Sequence, residues 1–256
     1  MLLLDFGNSA IKGQWWFKDE LQSSFSCRLG DNWRARLKSV LPDIETTDDA
    51  TPCYFASVAD SDTEAQLLDS LKMLTGLDDC VRLTTRKNVA GVDNGYTAPD
   101  KLGVDRWLAL LGAMDFYGPV DKLIIDAGSA ITIDLLTQNG KHLGGAILPG
   151  FHTSIARFKQ IMSKANFDHS DITRTDEPGC STEACININY CLADMSTNST
   201  MVDQLIERWF KLLAPDAIMI VAGGDAKRIN RHQQHPRYEG PDLVFKGMRK
   251  QLDSLK

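Results

Sequence analysis

Two similar short segments carry the residues with the clearest chemical potential in this chain. One apolar run ends in Asp5 near the start, and a second ends in Asp126 near the middle. In each copy a turn of small residues follows the aspartate, and an alternating run comes next, which is the pattern of a β-hairpin. Two such hairpins facing each other would gather carboxylates, backbone N–H groups and small hydroxyls around one cleft. Because such a cleft suits a metal-bound polyphosphate, the repeat predicts a two-lobed phosphoryl-transfer enzyme.

The two aspartates are candidate ligands for a cation. Mg²⁺ prefers a few carboxylates together with phosphate oxygens, and a carboxylate at a strand tip can bind it directly or through water. A single Asp-x-Gly would more simply be a turn, but the duplication favours the functional interpretation. Gly7 and Gly128 would let the backbone approach phosphate closely. The short polar side chains available to phosphate oxygens are those of Asn8, Ser9, Ser129 and Thr132.

An acid and a base stand side by side in Gly103-Val104-Asp105-Arg106. The apolar spacing that follows predicts a helix starting near Gly103 or Val104, so Asp105 lies in its first turn, where the helix dipole favours a charged carboxylate. A weak base suffices for largely dissociative phosphoryl transfer, and the fork of Arg106 suits an acidic substrate group. The alternative is that Asp105 caps the helix and Arg106 pairs on its surface.

Two further features have both a functional and a plain structural interpretation. Tyr96 lies in the loop before the Asp105 helix, where it would contact substrate or only pack on the surface. Gly223 and Gly224 follow an apolar strand and offer a turn without side chains, against which a flat purine could lie; an ordinary tight turn is the alternative.

Strands that alternate with helices indicate an α/β protein. The pair Gly118-Pro119 is the natural boundary between two lobes, residues 1–118 and residues 119–256. Turns are expected at Gly144-Gly145 and Pro149-Gly150. The other predicted elements are strands at 53–58, 123–125 and 218–221, and helices at 64–74, 154–164, 182–192, 201–213 and 243–255.

The composition excludes several classes of protein. Of the 256 residues, 43% are hydrophobic and 24% charged, which is ordinary for a soluble globular protein. No apolar run is long enough for a membrane span, and Asp5 interrupts the first one too early for a signal peptide. A net charge of −6 gives no field that attracts nucleic acid. The six cysteines show no C-x-x-C pair, so inert thiols in a cytoplasmic protein are expected.

The ordered motifs together resemble those of the type III pantothenate kinases. This family belongs to the superfamily of sugar kinases, actin and heat-shock ATPases, so the resemblance implies an α/β fold of two ribonuclease-H-like lobes with a nucleotide cleft between them. The match runs from residue 5 to about residue 225. The motifs that carry it are Asp5 to Ser9, Asn94 to Tyr96, Gly103 to Arg106, Asp126 to Thr132, Gly144 to Gly150 and Gly223-Gly224.

The resemblance implies a reaction and its cofactors. The reaction is the ATP-dependent phosphorylation of the primary hydroxyl of pantothenate to 4′-phosphopantothenate, the first step towards coenzyme A. The implied cofactors are ATP, Mg²⁺ and a monovalent cation, K⁺ or NH₄⁺. The expected assembly is a homodimer without nucleic-acid or membrane partners.

The resemblance also implies roles for particular residues. Asp105 is similar to the proton acceptor, and Asp126 to the ligand of the monovalent cation. The pantothenate site corresponds to Tyr96, Gly103, Val104, Asp105 and Arg106, with Ser181 or Thr182 reaching it from the neighbouring subunit. The ATP phosphate site corresponds to Asp5, Phe6, Gly7, Asn8, Ser9, Ala10, Ile11, Lys12 and Ser129.

Two other functions are compatible with parts of the pattern. A kinase for another small hydroxyl compound, such as a sugar, would leave Arg106 without an acidic partner on the substrate. A regulator that binds nucleotide without catalysis is the second alternative, but the acidic chain makes direct DNA binding unfavourable.

Overall fold

The computed structural model describes residues 1–41, 51–77, 79–161, 201–229 and 235–255. The chain divides into two compact units, one of Met1–Phe116 with Asp242–Lys256, and one of Tyr117–Pro241. The sequence-based division assigned residues 242–256 to the second lobe, whereas the structure groups this segment with the first unit. The physical reason is that its helix packs closely against a helix of the first unit, as described below.

The first unit is built on a five-stranded sheet with the order β3-β2-β1-β4-β5. The first three strands are antiparallel neighbours, and β4 and β5 run parallel to β1. The strands are β1 (Leu2–Phe6), β2 (Ala10–Phe17), β3 (Glu20–Arg28), β4 (Cys53–Ser57) and β5 (Cys80–Arg82), followed by a small hairpin of β6 (Asn88–Val89) and β7 (Val92–Asp93). The helices are α1 (Trp33–Val40), α2 (Ser61–Thr75) and α3 (Val104–Tyr117), with a 3₁₀ turn at Pro99–Lys101.

The second unit repeats this topology. Its sheet has the order β10-β9-β8-β11-β12, with antiparallel β8, β9 and β10, and with β11 and β12 parallel to β8. The strands are β8 (Lys122–Ala127), β9 (Ala130–Leu136), β10 (His142–Pro149), β11 (Ile218–Ala222) and β12 (Arg237–Glu239); the helices are α4 (Phe151–Ile161) and α5 (Met201–Phe210), and α6 (Leu243–Asp253) returns to the first unit. The repeated motif of the sequence is therefore a repeated sheet, and the two expected ribonuclease-H-like lobes are confirmed.

Both sheets have a central strand that is buried on its two faces. Leu2, Leu3 and Leu4 of β1 are all fully buried, because helices and loops cover a strand in the middle of such a sheet on both sides. Ile124 and Ile125 of β8 are buried in the same way. Within the described ranges, the helices that cover these sheets are too short or too polar for any of them to cross a membrane.

The predicted turn at Gly144-Gly145 is wrong. Both glycines lie inside β10, an edge strand that pairs with β9, and the register shifts between His142 and Gly144. Gly144 has φ +108°, a conformation that suits glycine in such a bulge. The helix expected from 182 to 192 lies outside the described residues.

Candidate functional site

Asp5 lies near the end of β1, where the sheet register selects its neighbours. It is the penultimate residue of the strand and is only 8% exposed. Lys12 of β2 and Ala56 of β4 are its direct partners, so all three residues share one face of the sheet. Ala56 therefore places only a methyl group beside the carboxylate.

The turn after Asp5 is held by its backbone. The Gly7 N–H donates to the Ala10 carbonyl at 3.0 Å, and the Ser9 carbonyl accepts from the Leu29 N–H at 2.9 Å. Asn8 and Ser9 are exposed at the tip. The turn therefore presents two short polar residues on a fixed backbone, as the sequence pattern predicts.

Asp126 occupies the equivalent position in the second unit. It is the penultimate residue of β8, and its direct partners are Thr132 of β9 and Ala222 of β11. Each aspartate thus has a polar partner on the antiparallel strand and an alanine on the parallel strand. Neither alanine was predicted to border the site, although both lie in the last two residues of an apolar strand, which is the signal that they share.

Gly223 packs directly against the Asp126 carboxylate. Its φ is +93°, and a Cβ atom there would overlap the Ala127 carbonyl and lie 2.5 Å from Asp126 Oδ1. The Ala127 carbonyl also accepts from the Asp225 N–H at 2.9 Å. A Cβ on Gly224, in contrast, would meet nothing within 4 Å. The glycine pair therefore begins a tight turn, closed by the Ala226 N–H donating to the Gly223 carbonyl at 3.2 Å, and this turn fits around Asp126.

The start of α4 is fastened to the second hairpin turn. The Ser129 carbonyl accepts from the Gly150 N–H at 3.0 Å and from Thr153 Oγ1 at 2.6 Å. A Cβ on Gly150 would overlap the carbonyl of Gly128. Gly150 therefore allows this close approach. The motif from Gly144 to Gly150 includes this glycine, but its role was not predicted from the sequence.

The donor sets around the two aspartates fit the expected cations. Among the residues that the structure describes, no three His, Cys, Asp or Glu side chains gather into a metal cluster. Mg²⁺ bound by one carboxylate and by phosphate oxygens needs no such cluster, so Asp5 fits that role. The Asp126 carboxylate occupies space that a Cβ on Gly223 would fill, and Thr132 is its partner on the neighbouring strand. Carboxylate and hydroxyl oxygens of this kind are ligands that suit a hard cation.

Asp105 lies in the first turn of α3, which begins at Val104 as expected. The Gly103 carbonyl accepts the first helical hydrogen bond, from the Trp107 N–H at 2.9 Å. Asp105 Oδ1 accepts from the Arg106 N–H at 2.8 Å, so the carboxylate turns back over the helix N-terminus. A Cβ on Gly103 would lie 2.6 Å from this oxygen. Gly103 thus leaves the space that the carboxylate occupies.

Arg106 and Tyr96 contact each other. Arg106 is 5% exposed, and its Nη1 donates to the Tyr96 hydroxyl at 2.8 Å. The guanidinium carbon lies 5.6 Å from the centre of the Tyr96 ring. The alternative of a surface pair for Arg106 is therefore wrong, because the guanidinium is buried against the loop that carries Tyr96.

Asn94 fixes the loop that presents Tyr96. Its Oδ1 accepts from the Tyr96 N–H at 2.9 Å, and its Nδ2 donates to the carbonyls of Arg86 at 3.3 Å and Pro99 at 3.1 Å. Asn94 is fully buried. The role of Asn94 was not predicted, although asparagine side chains commonly accept from the backbone N–H two residues further on, which here is that of Tyr96.

Some predicted residues lie outside the described part of the chain. These are Ser181 and Thr182 and the cysteines Cys180, Cys185 and Cys191. Of the other cysteines, all free thiols, Cys27 and Cys53 are buried as expected, and Cys80 is half-buried. A hydrogen bond with Cys80 and burial raise the pKa of the Cys53 thiol, which keeps it protonated.

Comparison with known proteins identifies a family. Residues 1–208 match the family model described as type III pantothenate kinase. The type III pantothenate kinase of Idiomarina loihiensis is 32% identical over an alignment of 272 positions, gaps included, which covers 100% of this chain and 99% of the relative. The enzyme of Pseudomonas aeruginosa is 31% identical over 254 residues, 97% of each chain. That of Cellvibrio japonicus is 29% identical over 97% of this chain and 95% of its own.

Solved structures share the fold. A Campylobacter jejuni protein described as a Baf family transcriptional activator aligns with a TM-score of 0.56 and 22% identity, over 99% of this chain and 98% of its own. A Sinorhizobium meliloti protein described as a 2-dehydro-3-deoxygalactonokinase aligns with a TM-score of 0.51 and 11% identity, over 98% and 94%. At these identities the similarity concerns the fold alone, and it agrees with the repeated sheets.

Proposed function

Because the chain belongs to the type III pantothenate kinase family, and its reaction is therefore the ATP-dependent phosphorylation of pantothenate to 4′-phosphopantothenate, we propose that Asp105 is the proton acceptor in this reaction. The observation that carries the proposal is the position of the Asp105 carboxylate, which lies over the N-terminus of α3 in space left by Gly103. This reaction is the first step of coenzyme A synthesis.

The proposed step requires little of the base. The primary hydroxyl oxygen of pantothenate forms a bond to the γ-phosphorus while the bond between that phosphorus and the ADP oxygen breaks. The hydroxyl proton passes to a carboxylate oxygen of Asp105. Because the transition state of phosphoryl transfer is largely dissociative, a weak and well-positioned base is sufficient. The helix N-terminus favours the negative charge that the base carries before the transfer.

Arg106 and Tyr96 are proposed to bind the acidic end of pantothenate, together with Gly103 and Val104. The Tyr96 hydroxyl holds one guanidinium nitrogen at 2.8 Å, which fixes the plane of the guanidinium fork. A fixed fork recognises a carboxylate through two parallel hydrogen bonds. We also propose a cytoplasmic homodimer in which Ser181 or Thr182 completes the site of the neighbouring subunit. The resemblance supports this assembly, and the free thiols of the described cysteines agree with a reducing compartment.

Residues of both hairpins and of the turn after β11 are proposed to bind ATP. In the first unit they are the residues from Asp5 to Lys12, with Asp5 holding Mg²⁺ directly or through water. In the second unit they are Ser129, Thr132, Gly223 and Gly224, with Asp126 holding K⁺ or NH₄⁺. When bound, these cations neutralise phosphate charge that would otherwise repel the carboxylates.

The direct test measures ATP consumption by the purified protein with pantothenate, Mg²⁺ and K⁺, and detects phosphopantothenate by mass. Asp105→Asn should lower kcat by about a hundredfold or more, since general-base contributions have this size. Asp100→Asn is the matched control, because Asp100 is exposed in the adjacent 3₁₀ turn and should leave kcat unchanged. Near-normal turnover by Asp105→Asn would refute the assigned base. Absence of product, combined with salt-sensitive binding to DNA, would favour the regulator.

The cation assignment has a separate test. Activity should require K⁺ or NH₄⁺ and be poor in Na⁺, and Asp126→Asn should raise the K⁺ concentration needed for half-maximal rate. Equal rates in all three salts would remove Asp126 from this role.

A further inference from the structure

A buried amide on α6 connects two parts of the pantothenate half-site. Gln251 is 1% exposed and lies on the last turns of α6. Its Oε1 accepts from Trp107 Nε1 at 2.9 Å, and its Nε2 donates to the Thr84 carbonyl at 3.1 Å. One side chain therefore joins α6, the first turns of α3 and the segment after β5.

Each of the two hydrogen bonds of Gln251 is made to a residue that is itself linked to the proposed substrate site. Trp107 is fully buried, lies two residues after Asp105 and donates through its backbone N–H to the Gly103 carbonyl. Thr84 precedes Thr85, whose hydroxyl donates to the Leu102 carbonyl at 2.9 Å, immediately before Gly103.

The same segment supports the loop of Tyr96. The Arg86 carbonyl accepts from Asn94 Nδ2, and the Lys87 carbonyl accepts from the Asn94 N–H at 2.9 Å. Asn94 in turn holds the Tyr96 N–H. A shift of residues 84–87 would therefore move both the tyrosine loop and the start of α3.

Packing alone does not explain a glutamine at this position. Contact between α3 and α6 is already close, because Gly112 faces the backbone of Leu243, and Gly247 faces the backbone of Leu108. A buried amide costs free energy unless both of its ends are hydrogen-bonded, whereas methionine would fill a similar volume without that cost. The two directed bonds of Gln251 fix the register between elements, which an apolar side chain would leave adjustable.

We propose that Gln251 is a positioning residue for pantothenate phosphorylation, which holds the Asp105 turn of α3 and the Tyr96 loop at a fixed separation through Trp107 and Thr84. The inference rests on the proposed role of Asp105. Misplacement of a reacting group by about 1 Å is enough to slow a reaction about a hundredfold. Gln251 acts on the acceptor half of the reaction and not on the binding of ATP.

The test compares kcat, the KM for pantothenate and the KM for ATP. Gln251→Met should lower kcat/KM for pantothenate about tenfold or more, with less than about a twofold change in the KM for ATP. Lys250→Met is the matched control: it breaks the 2.6 Å ion pair with Asp115 between the same two helices, away from the Asp105 turn, and should leave these constants unchanged. Trp107→Phe removes one of the two bonds and should cause a smaller loss than Gln251→Met. The double variant should be no slower than Gln251→Met, since the two residues act as one unit.

Gln251→Glu gives a pH-dependent signature, which is measured well below the unfolding temperature of the variant at each pH so that a loss of stability does not contribute. Burial raises the pKa of a carboxyl group, and a protonated glutamic acid at this position can replace the amide by accepting from Trp107 and donating to Thr84. The ratio of the variant's kcat/KM for pantothenate to that of the wild type should therefore rise as the pH falls from about 8 to about 6. Wild-type constants in Gln251→Met would overturn the proposal, as would KM values that rise equally for both substrates together with a fall in the unfolding temperature. If Asp105→Asn is fully active in the same assay, the proposed function of Asp105 fails first; if only Gln251→Met is normal, the inference alone fails.

Discussion

Glycines leave the space that two carboxylates of this protein occupy. At Gly103 the missing Cβ leaves room for Asp105 Oδ1, and at Gly223 it leaves room for Asp126 Oδ1. At Gly150 it admits the backbone of the second hairpin turn. The sequence could predict the aspartates and the glycines as motifs, because their spacing is local. It could not predict which glycine faces which carboxylate, since that depends on how distant segments fold together.

Gly103→Ala should separate catalysis from stability. The new Cβ would take the place of Asp105 Oδ1, and because this oxygen ends a short rotatable side chain, the carboxylate moves and the fold stays intact. We expect kcat to fall about tenfold or more, with little change in the unfolding temperature. Kinetic assays and thermal unfolding check this. In the Asp105→Asn background the same substitution should cost nothing further, and an additive loss would show that Gly103 acts by another route.

Elements with strong apolar periodicity were the ones that the sequence predicted well. The strands at 53–57 and 218–222 and the helices α2 and α6 lie within a few residues of their predicted bounds, because each buries a regular apolar face. β3 was not predicted, because its exposed residues are mostly polar and an edge strand needs little burial. Gln251 was not predicted either, since a polar residue on a helix face gives no sign that it is buried between two other segments.

The turn between β2 and β3 is a site where stability can be gained. Lys18 and Asp19 have φ +47° and +63°, the left-handed conformations of a two-residue hairpin turn that favours Asn-Gly. Asp19→Gly should raise the free energy of unfolding by about 0.5–1 kcal/mol, because glycine adopts this conformation without strain. Its loss of a 3.7 Å exposed ion pair with Arg249 matters little. Urea unfolding measures the change.

A neighbouring substitution controls for charge and for the flexibility of glycine. Glu20 begins β3 and is exposed, so Glu20→Gly removes the same charge at an ordinary strand position. It should lower the free energy of unfolding, since glycine weakens a strand. A loss of stability in both variants would contradict the assignment of strain to Asp19.

The stability of the whole molecule depends on pH through a buried lysine, Lys122, which lies a few residues after the chain passes from the first unit to the second. Lys122 is fully buried at the start of β8, and its ammonium donates to the carbonyls of Gly118 and Val120 at 2.5 Å each. Burial lowers the pKa of Lys122 to about 8, although the nearby Asp121 carboxylate acts in the opposite direction. An unfolded lysine has a pKa of about 10.4. Between these values the folded chain binds fewer protons than the unfolded chain, so this residue makes folding more favourable as the pH rises.

Comparison with Lys122→Met isolates that contribution from all other titrating groups. The free energy of unfolding of the wild type minus that of the variant should rise between about pH 8 and pH 10.5, by at most about 1.4 kcal/mol per pH unit. Urea unfolding at a series of pH values checks this. Lys141→Met, which changes an exposed lysine of the same unit, should show no such rise. Parallel curves for the wild type and Lys122→Met would contradict the lowered pKa.

The return of α6 to the first unit also determines the order in which the two units are completed on the ribosome. Gly247 of α6 meets the backbone of α3, so the first unit lacks part of its core until α6 has been translated. The roughly 125 residues of Tyr117–Pro241 are made in between, which at about 5–20 residues per second delays α6 by on the order of ten seconds. The second unit, although later in the sequence, is therefore fully synthesised before the first. A nascent chain arrested within that interval lacks the α6 backbone that packs against α3, so the helix that carries Asp105 is covered on this side only after α6 has been translated.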